Sequence, residues 1–210
     1  MRIGGVSRGA IIGHSWRSRL SSIAARYLTG GGAPWARRSK IKKLYIIRHG
    51  EAEKRGAEGD AARALTARGS ADCRLLAAHL KGAGAAWDAI LCSSARRARE
   101  SAELMAAAMD SPPPLDVRED LNLAGVETLL AVLRALPEEA GAALLVGHNP
   151  GLHGLALLLA GAGGGRAARR AARDFPPGAV AEFACDTPAW AHLAPGAATL
   201  RAFTTPKDIR

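Results

Sequence analysis

The chain has 210 residues, long enough for one sizeable hydrophobic core, and it carries a formal net charge of +10. Its hydrophobic content of 48% is ordinary for a globular protein, and no run of eighteen apolar residues offers a membrane-spanning helix. The three cysteines are widely spaced and form no C-x-x-C pair. This favours reduced thiols in an intracellular protein over a disulfide framework or a metal site.

The positive charge is concentrated at the N-terminus. Ten of the 29 basic residues lie within residues 1–43, whereas the first acidic residue of the chain is Glu51. From Leu44 onward the basic and acidic residues balance at 19 each, so this part of the chain is formally neutral. Because the charge belongs to the N-terminal segment, we expect no nucleic-acid partner for the remainder.

Residues 1–42 are predicted to be a basic, disordered extension that precedes one domain over residues 43–210. Between residues 12 and 27 the apolar positions fall on one helical stripe, and a break at glycines 30–32 follows. An amphipathic, arginine-bearing start without acidic residues matches an organellar transit peptide; the alternative is an upstream extension without that role. We therefore expect a cytoplasmic protein, or an organellar one if the extension is a transit peptide.

After the extension, short apolar runs alternate with alanine-rich helical stretches. This alternation is typical of a three-layer α/β/α domain with a mostly parallel central sheet. The strands are predicted at residues 43–48, 87–93, 142–146, 179–184 and 199–203, and the helices at 70–81, 95–109, 126–136 and 152–160.

Three of the predicted strands end in polar side chains. The first ends in Arg48-His49-Gly50, the second in Ser93 with arginines on the following turn, and the third in Gly147-His148-Asn149. In an open α/β sheet the ligand lies beyond the carboxyl ends of the strands, so we expect these side chains to share one pocket. A guanidinium group can donate two parallel hydrogen bonds to phosphate oxygens, and an imidazole can attack phosphorus. The sequence therefore predicts a phosphate site.

Four segments resemble the histidine phosphatase superfamily, and within it the SixA-type phosphohistidine phosphatases. They are LYIIRHGEAE at 44–53, RALTARG at 63–69, ILCSSARRARESAEL at 90–104 and LLVGHNPGL at 144–152. The resemblance implies a phosphoglycerate-mutase-like fold. The chain departs from the family pattern at three positions: Ser94 replaces a proline, Glu100 a glutamine and Ser101 a threonine.

The resemblance also implies roles for four residues of the pocket. His49 matches the nucleophile that becomes phosphorylated, and Arg48 and Arg97 match the arginines that hold the phosphate. His148 matches the second histidine of the site. Phosphoryl transfer depends mainly on positioning and charge neutralisation, so these groups suffice without a metal ion or another cofactor, and we expect none.

Three further questions stay open at the level of the sequence. Arg63 and Asn149 are additional candidates for phosphate binding, with a surface salt bridge as the alternative for Arg63. Glu119 and Asp120 are candidates for a general acid by position alone. SixA-type enzymes lack such an acid, which fits a substrate whose leaving group is an imidazole.

The expected function is removal of phosphate from a phosphohistidine on a protein, through a phosphohistidine intermediate on the enzyme. The partner would be a phosphorelay or carrier domain, and we expect no membrane partner. The alternatives are a phosphomonoesterase that acts on a small phosphorylated metabolite, and a phosphate-binding module without catalysis.

Overall fold

A six-stranded sheet organises the part of the chain that the structure describes. The structure is a computed structural model that describes residues 41–160 and 165–210, so all but the last two residues of the predicted N-terminal extension lie outside it. The strands are β1 Lys42–Arg48, β2 Ala89–Ser93, β3 Leu115–Arg118, β4 Ala142–Gly147, β5 Val180–Cys185 and β6 Ala198–Thr204. The helices are α1 Ala67–Gly82, α2 Arg96–Ala107, α3 Val126–Arg134, α4 Gly151–Ala160 and α5 Arg166–Arg173.

The strands lie in the order β3-β2-β4-β1-β5-β6. The first four are mutually parallel, whereas β5 runs antiparallel to β1 and β6 antiparallel to β5. The predicted mostly parallel sheet is therefore confirmed. The sequence did not predict β3, because this four-residue edge strand includes Asp116 and Arg118 and exposes Val117, so it forms no apolar run.

Helices cover both faces of the sheet, which confirms the predicted α/β/α layers. On one face Leu44 and Ile46 of β1 pack in a core cluster with residues of α3, α4 and α5. On the other face Tyr45 and Ile47 pack with residues of α1 and α2. A strand that is buried on both faces needs apolar side chains at successive positions, which explains the uninterrupted run LYII.

Helix α1 begins three residues before its predicted start. Thr66 caps the helix, and its hydroxyl oxygen accepts a hydrogen bond of 2.9 Å from the Gly69 amide. The prediction relied on apolar periodicity, which begins only after this first turn. Among the residues that the structure describes, no helix combines the length and apolarity needed to cross a bilayer.

Candidate active site

The carboxyl ends of β1, β2 and β4 bring two histidines and a buried arginine together. The ring centroids of His49 and His148 lie 5.0 Å apart. Nε of Arg97 donates a hydrogen bond of 3.2 Å to Nε2 of His49, and Nε2 of His148 lies 2.8 Å from Oγ of Ser93. The site thus joins residues that are about 50 to 100 positions apart in the chain, because β1 lies beside β4 and β4 beside β2.

His49 is held as a neutral imidazole with one defined tautomer. Its Nδ1 lies 2.7 Å from the carbonyl oxygen of Gly50, which can only accept, so Nδ1 carries the proton. Nε2 then keeps its lone pair, and it accepts from Arg97. Burial, and then the charges of Arg97 and Arg48, lower the pKa of His49 to about 4, against an opposing contribution from the Gly50 carbonyl. At neutral pH His49 therefore offers an unprotonated nitrogen.

Gly50 occupies a position that has no room for a side chain. A Cβ there would lie 2.8 Å from Sγ of Cys73 and 2.9 Å from the carbonyl oxygen of Gly69. The Gly50 amide donates a hydrogen bond of 3.0 Å to Oγ of Ser101. The glycine of the RHG motif therefore lets the end of β1 pack directly against α1 and α2.

Two of the residues that depart from the family pattern, Ser101 and Glu100, form hydrogen bonds next to the site. Oγ of Ser101 accepts from Gly50 and donates a hydrogen bond of 2.7 Å to the carbonyl oxygen of Arg97. Oε2 of Glu100 accepts a hydrogen bond of 2.7 Å from the Leu65 amide. Ser101 thus connects α2 to the end of β1, and Glu100 connects α2 to the residues just before α1.

His148 is 4% exposed, and its Nε2 lies against Ser93. Oγ of Ser93 accepts from the Ala95 amide at 3.3 Å, and the same hydroxyl can donate its proton to Nε2 of His148. In that arrangement Nδ1 carries the ring proton; Nδ1 is buried and has no hydrogen-bond partner among the described residues. Burial, and then His49 and Arg97, lower the pKa of His148 to about 3, so this ring is also neutral.

A main-chain carbonyl anchors Arg48. Nη1 of Arg48 and Nδ2 of Asn149 each donate a hydrogen bond of 2.9 Å to the carbonyl oxygen of Phe175. Nε of Arg48 is buried and has no partner within residues 41–160 and 165–210. Arg48 thus has one anchored nitrogen and one unpaired donor. The amide group of Asn149 donates to the anchor, and its phosphate contact stays a prediction.

Of the three arginines that follow β2, one enters the pocket. Arg97 is 3% exposed, whereas Arg96 and Arg99 are exposed on the outer face of α2. Nη1 of Arg97 donates to the carbonyl oxygen of Asp60 at 2.6 Å, and Nη2 donates to Oδ2 of Asp60 at 2.8 Å. The guanidinium therefore lies between His49 and the segment that carries Asp60.

Arg63 lies at the rim of this pocket. Its Nη1 donates a hydrogen bond of 2.8 Å to Oδ1 of Asp60, and its Nε donates to the carbonyl oxygen of Glu53. The salt bridge that the sequence left as an alternative is thus formed, and phosphate binding by Arg63 stays a prediction. Asp60 was not predicted as a site residue; its position three residues before Arg63 was the available signal.

The two general-acid candidates lie in the 3₁₀ turn Glu119–Leu121 that follows β3. Both carboxylate oxygens of Asp120 accept hydrogen bonds from Arg118, at 2.9 and 2.6 Å. These bonds hold the pKa of Asp120 below its usual range, so at neutral pH it is a carboxylate without a proton to give. In the described part of the chain, no group of three or more His, Cys, Asp or Glu side chains is arranged to hold a metal ion.

Comparison with known proteins places this chain in a family. Residues 44–125 match the model of the histidine phosphatase superfamily (branch 1). Phosphohistidine phosphatase SixA from Escherichia coli K12 is 34% identical over 110 residues, which are 51% of this chain and 68% of that protein. A SixA protein from Nakamurella multipartitia superposes with a TM-score of 0.69 at 29% identity, over 79% of this chain and 96% of that one.

A solved structure of the protein histidine phosphatase SixA complexed with tungstate gives a similar result. Its TM-score is 0.66 at 26% identity, over 80% of this chain and 99% of that one. The family model spans the segments at 44–53 and 90–104. The chain therefore belongs to the histidine phosphatase superfamily and is a hydrolase of the phosphatase class.

Proposed function

We propose that the chain removes phosphate from a phosphohistidine side chain of another protein, with His49 as the nucleophile. The observation that carries this proposal is the state of His49: a neutral ring with Nδ1–H bound to the Gly50 carbonyl and the Nε2 lone pair facing Arg97. A nitrogen nucleophile must be unprotonated to attack phosphorus, and this ring meets that requirement at neutral pH.

The first step transfers the phosphoryl group to His49. Nε2 of His49 exchanges its hydrogen bond from Nε of Arg97 for a bond to phosphorus, as the bond between phosphorus and the substrate imidazole breaks and the substrate nitrogen keeps that electron pair. In the second step water attacks the phosphorus on His49, and the bond to Nε2 breaks with its electron pair returning to Nε2. Both protons of the water leave with the product, which is released as dihydrogen phosphate.

Three donors would stabilise the transferring group. The unpaired Nε of Arg48 and the Nε edge of Arg97 would donate to its equatorial oxygens. Nδ1–H of His148, which is buried without a partner among the described residues, would donate to a third oxygen. Donors that are fixed in a buried site before the reaction stabilise developing charge without reorganisation.

The choice of phosphohistidine over a phosphate ester rests on the leaving group. An alkoxide needs a proton as it departs, whereas an imidazole that is protonated on its other nitrogen leaves as a neutral molecule. The carboxyl groups of Asp60 and Asp120 are kept ionised by arginines that hydrogen-bond to them and lower their pKa. Neither of them can therefore serve as the acid that an ester requires.

Two further observations agree with a protein substrate. Only residues 119–125 connect β3 to α3, so no large insertion extends over the pocket from this side. In addition, two of the similar proteins are the phosphohistidine phosphatase SixA of Escherichia coli and the protein histidine phosphatase SixA solved with tungstate.

The test compares a phosphohistidine-bearing carrier domain with a small aryl phosphate as substrates. Wild type is measured beside His49→Ala, with His79→Ala as the control, because His79 is an exposed histidine on α1. We expect a strong preference for the phosphoprotein that is lost in His49→Ala and kept in His79→Ala. Brief incubation with labelled substrate should also yield an acid-labile phosphoryl group on wild type and His79→Ala, but not on His49→Ala.

Other outcomes would select the alternatives. Hydrolysis of small phosphate esters without hydrolysis of the phosphoprotein would indicate a phosphomonoesterase that acts on a small phosphorylated metabolite. Full activity of His49→Ala would contradict the nucleophile. Binding of phosphate without turnover of either substrate would indicate a binding module.

A further inference from the structure

Asp60 makes three contacts with two arginines, the buried Arg97 and Arg63 at the pocket rim. Its Oδ2 and its main-chain carbonyl oxygen accept from Nη2 and Nη1 of Arg97, at 2.8 and 2.6 Å. Its Oδ1 accepts from Nη1 of Arg63 at 2.8 Å. Both outer nitrogens of the Arg97 guanidinium are therefore bound to a single residue, and the Nε side of the group remains directed to His49.

We propose that Asp60 is a positioning residue that fixes the orientation of Arg97, so that the Nε edge of Arg97 faces the phosphoryl group at His49. This inference rests on the proposed role of Arg97 in phosphate binding. A planar guanidinium binds oxyanions through an edge, so its orientation determines which donors reach the phosphate.

Burial explains why Arg97 needs such a partner. The Arg97 side chain is 4% exposed, whereas that of Asp60 is 57% exposed. Water can therefore solvate the carboxylate but has little access to the guanidinium, whose buried donors must find acceptors in the protein. In the described part of the chain, Asp60 is the acidic side chain that pairs with Arg97.

The segment that carries Asp60 is fixed at both ends. Ala52 forms an antiparallel bridge with Leu65, and the Glu53 amide donates a hydrogen bond of 2.8 Å to the carbonyl oxygen of Ala64. Asp60 begins the 3₁₀ turn Asp60–Ala62 within the loop that these contacts close. The carboxylate is thus presented to Arg97 from a defined position.

A rival interpretation is that Asp60 competes with phosphate for Arg97. The geometry favours positioning, because Asp60 binds the Nη nitrogens while Nε faces His49. The two interpretations predict opposite effects of removing the carboxylate. Loss of a positioning group weakens oxyanion binding, whereas loss of a competitor strengthens it.

The test measures the Kd of tungstate, a tetrahedral oxyanion, by calorimetry for wild type, Asp60→Ala and Asp60→Glu. The matched control is Asp110→Ala, which removes a carboxylate from an exposed ion pair with Lys81. We expect Asp60→Ala to weaken tungstate binding about ten- to hundredfold, the range of a lost hydrogen bond to a charged group. Asp60→Glu should recover part of the loss, and Asp110→Ala should match wild type.

An irreversibly inactive fraction lowers the binding stoichiometry and leaves the Kd unchanged, and reversible unfolding of half the molecules would raise the measured Kd only about twofold. Unchanged or tighter tungstate binding in Asp60→Ala would overturn the inference. An equal loss in Asp110→Ala would overturn it too, because the effect would then not be specific to the rim.

A double-mutant cycle with Arg97→Ala separates this inference from the proposed function. If Asp60 acts through Arg97, adding Asp60→Ala to Arg97→Ala should change the Kd by less than about twofold. Additive losses would overturn the inference and leave the proposed function standing. Unchanged tungstate binding in Arg97→Ala alone would overturn the proposed role of Arg97 and the inference with it.

Discussion

The inner wall and the rim of the pocket are built in different ways. The inner wall holds His49 and His148, which are 8% and 4% exposed and come directly from strand ends. The rim holds Asp60 and Arg63, whose side chains are 57% and 28% exposed and come from a loop. Burial keeps the inner imidazoles neutral, whereas the rim groups form an ion pair with each other. The pocket thus combines neutral, buried imidazoles with charged groups at its rim.

The largest effect should come from the residue that contacts both regions. Arg97→Ala removes a proposed phosphate donor and the partner of Asp60, so we expect kcat/KM on phosphohistidine substrate to fall about a thousandfold. Arg99→Ala is the matched control, because Arg99 is exposed on the same helix. Steady-state kinetics of the two variants checks this, and similar losses in both would show that α2 as a whole, and not Arg97, is responsible.

The inner wall should make stability depend on pH in the acidic range. An unfolded histidine binds a proton with a pKa of about 6.5, whereas the pKa of folded His49 is about 4. Between these values the unfolded state binds more protons, so the free energy of unfolding falls as the pH is lowered through this window. The loss attributable to His49 should approach about 3 kcal/mol at pH 4.

Urea unfolding at pH 7 and pH 4 measures this loss, and His49→Ala isolates the contribution of the imidazole. The variant should lose less stability than wild type between the two pH values. Nuclear magnetic resonance of the ring protons gives an independent check. A titration midpoint of His49 near pH 6.5 in the folded protein would contradict the prediction.

An added methyl group at Gly50, next to the inner wall, should destabilise the fold. Gly50→Ala places a Cβ against Cys73 and the Gly69 carbonyl, so we expect a loss of about 1 to 3 kcal/mol in the free energy of unfolding. Gly82→Ala is the matched control, because a Cβ there would have no neighbour within 4 Å. Chemical denaturation of both variants measures the difference, and equal stabilities would contradict the close packing.

The smallest effect should come from the hydroxyl that contacts Nε2 of His148. Ser93→Ala removes the hydroxyl that bonds Nε2, so the ring can move its proton from Nδ1 and lose the donor we assign to it. We expect kcat to fall about tenfold, the value of one hydrogen bond to a charged group. Ser94→Ala is the control. Nitrogen chemical shifts of His148 should change in Ser93→Ala and remain as in wild type in Ser94→Ala.

The sequence predicted the inner wall better than the rim, for a physical reason. The strand β1 and the polar residues at its end, Arg48 and His49, can be recognised from neighbouring residues alone. A buried strand needs apolar side chains, whereas the residues at its end do not. Parallel pairing of neighbouring strands then brings distant tips together. The spacing of Asp60 and Arg63 is compatible with their ion pair, but a loop without periodicity decides whether Asp60 also reaches Arg97, and the sequence does not determine that.

The same distinction applies to the fold. The five predicted strands are present, but the edge strand β3 was missed because two of its four residues are charged and its one exposed apolar residue lies at the sheet edge. At the site, Ser101 and Glu100 differ from the family pattern and yet form hydrogen bonds to Gly50 and Leu65. A residue type alone does not reveal such contacts, because they depend on the partner that the fold supplies.

The carbonyl oxygen of Phe175 has a consequence for how this pocket can diverge. It accepts from both Arg48 and Asn149, and a main-chain oxygen is present whichever amino acid occupies the position. The anchor is therefore inherited with the path of the backbone, and replacement of the side chain leaves the acceptor in place. A relative could therefore carry a different amino acid at position 175 while the arginine at position 48 kept the same main-chain acceptor.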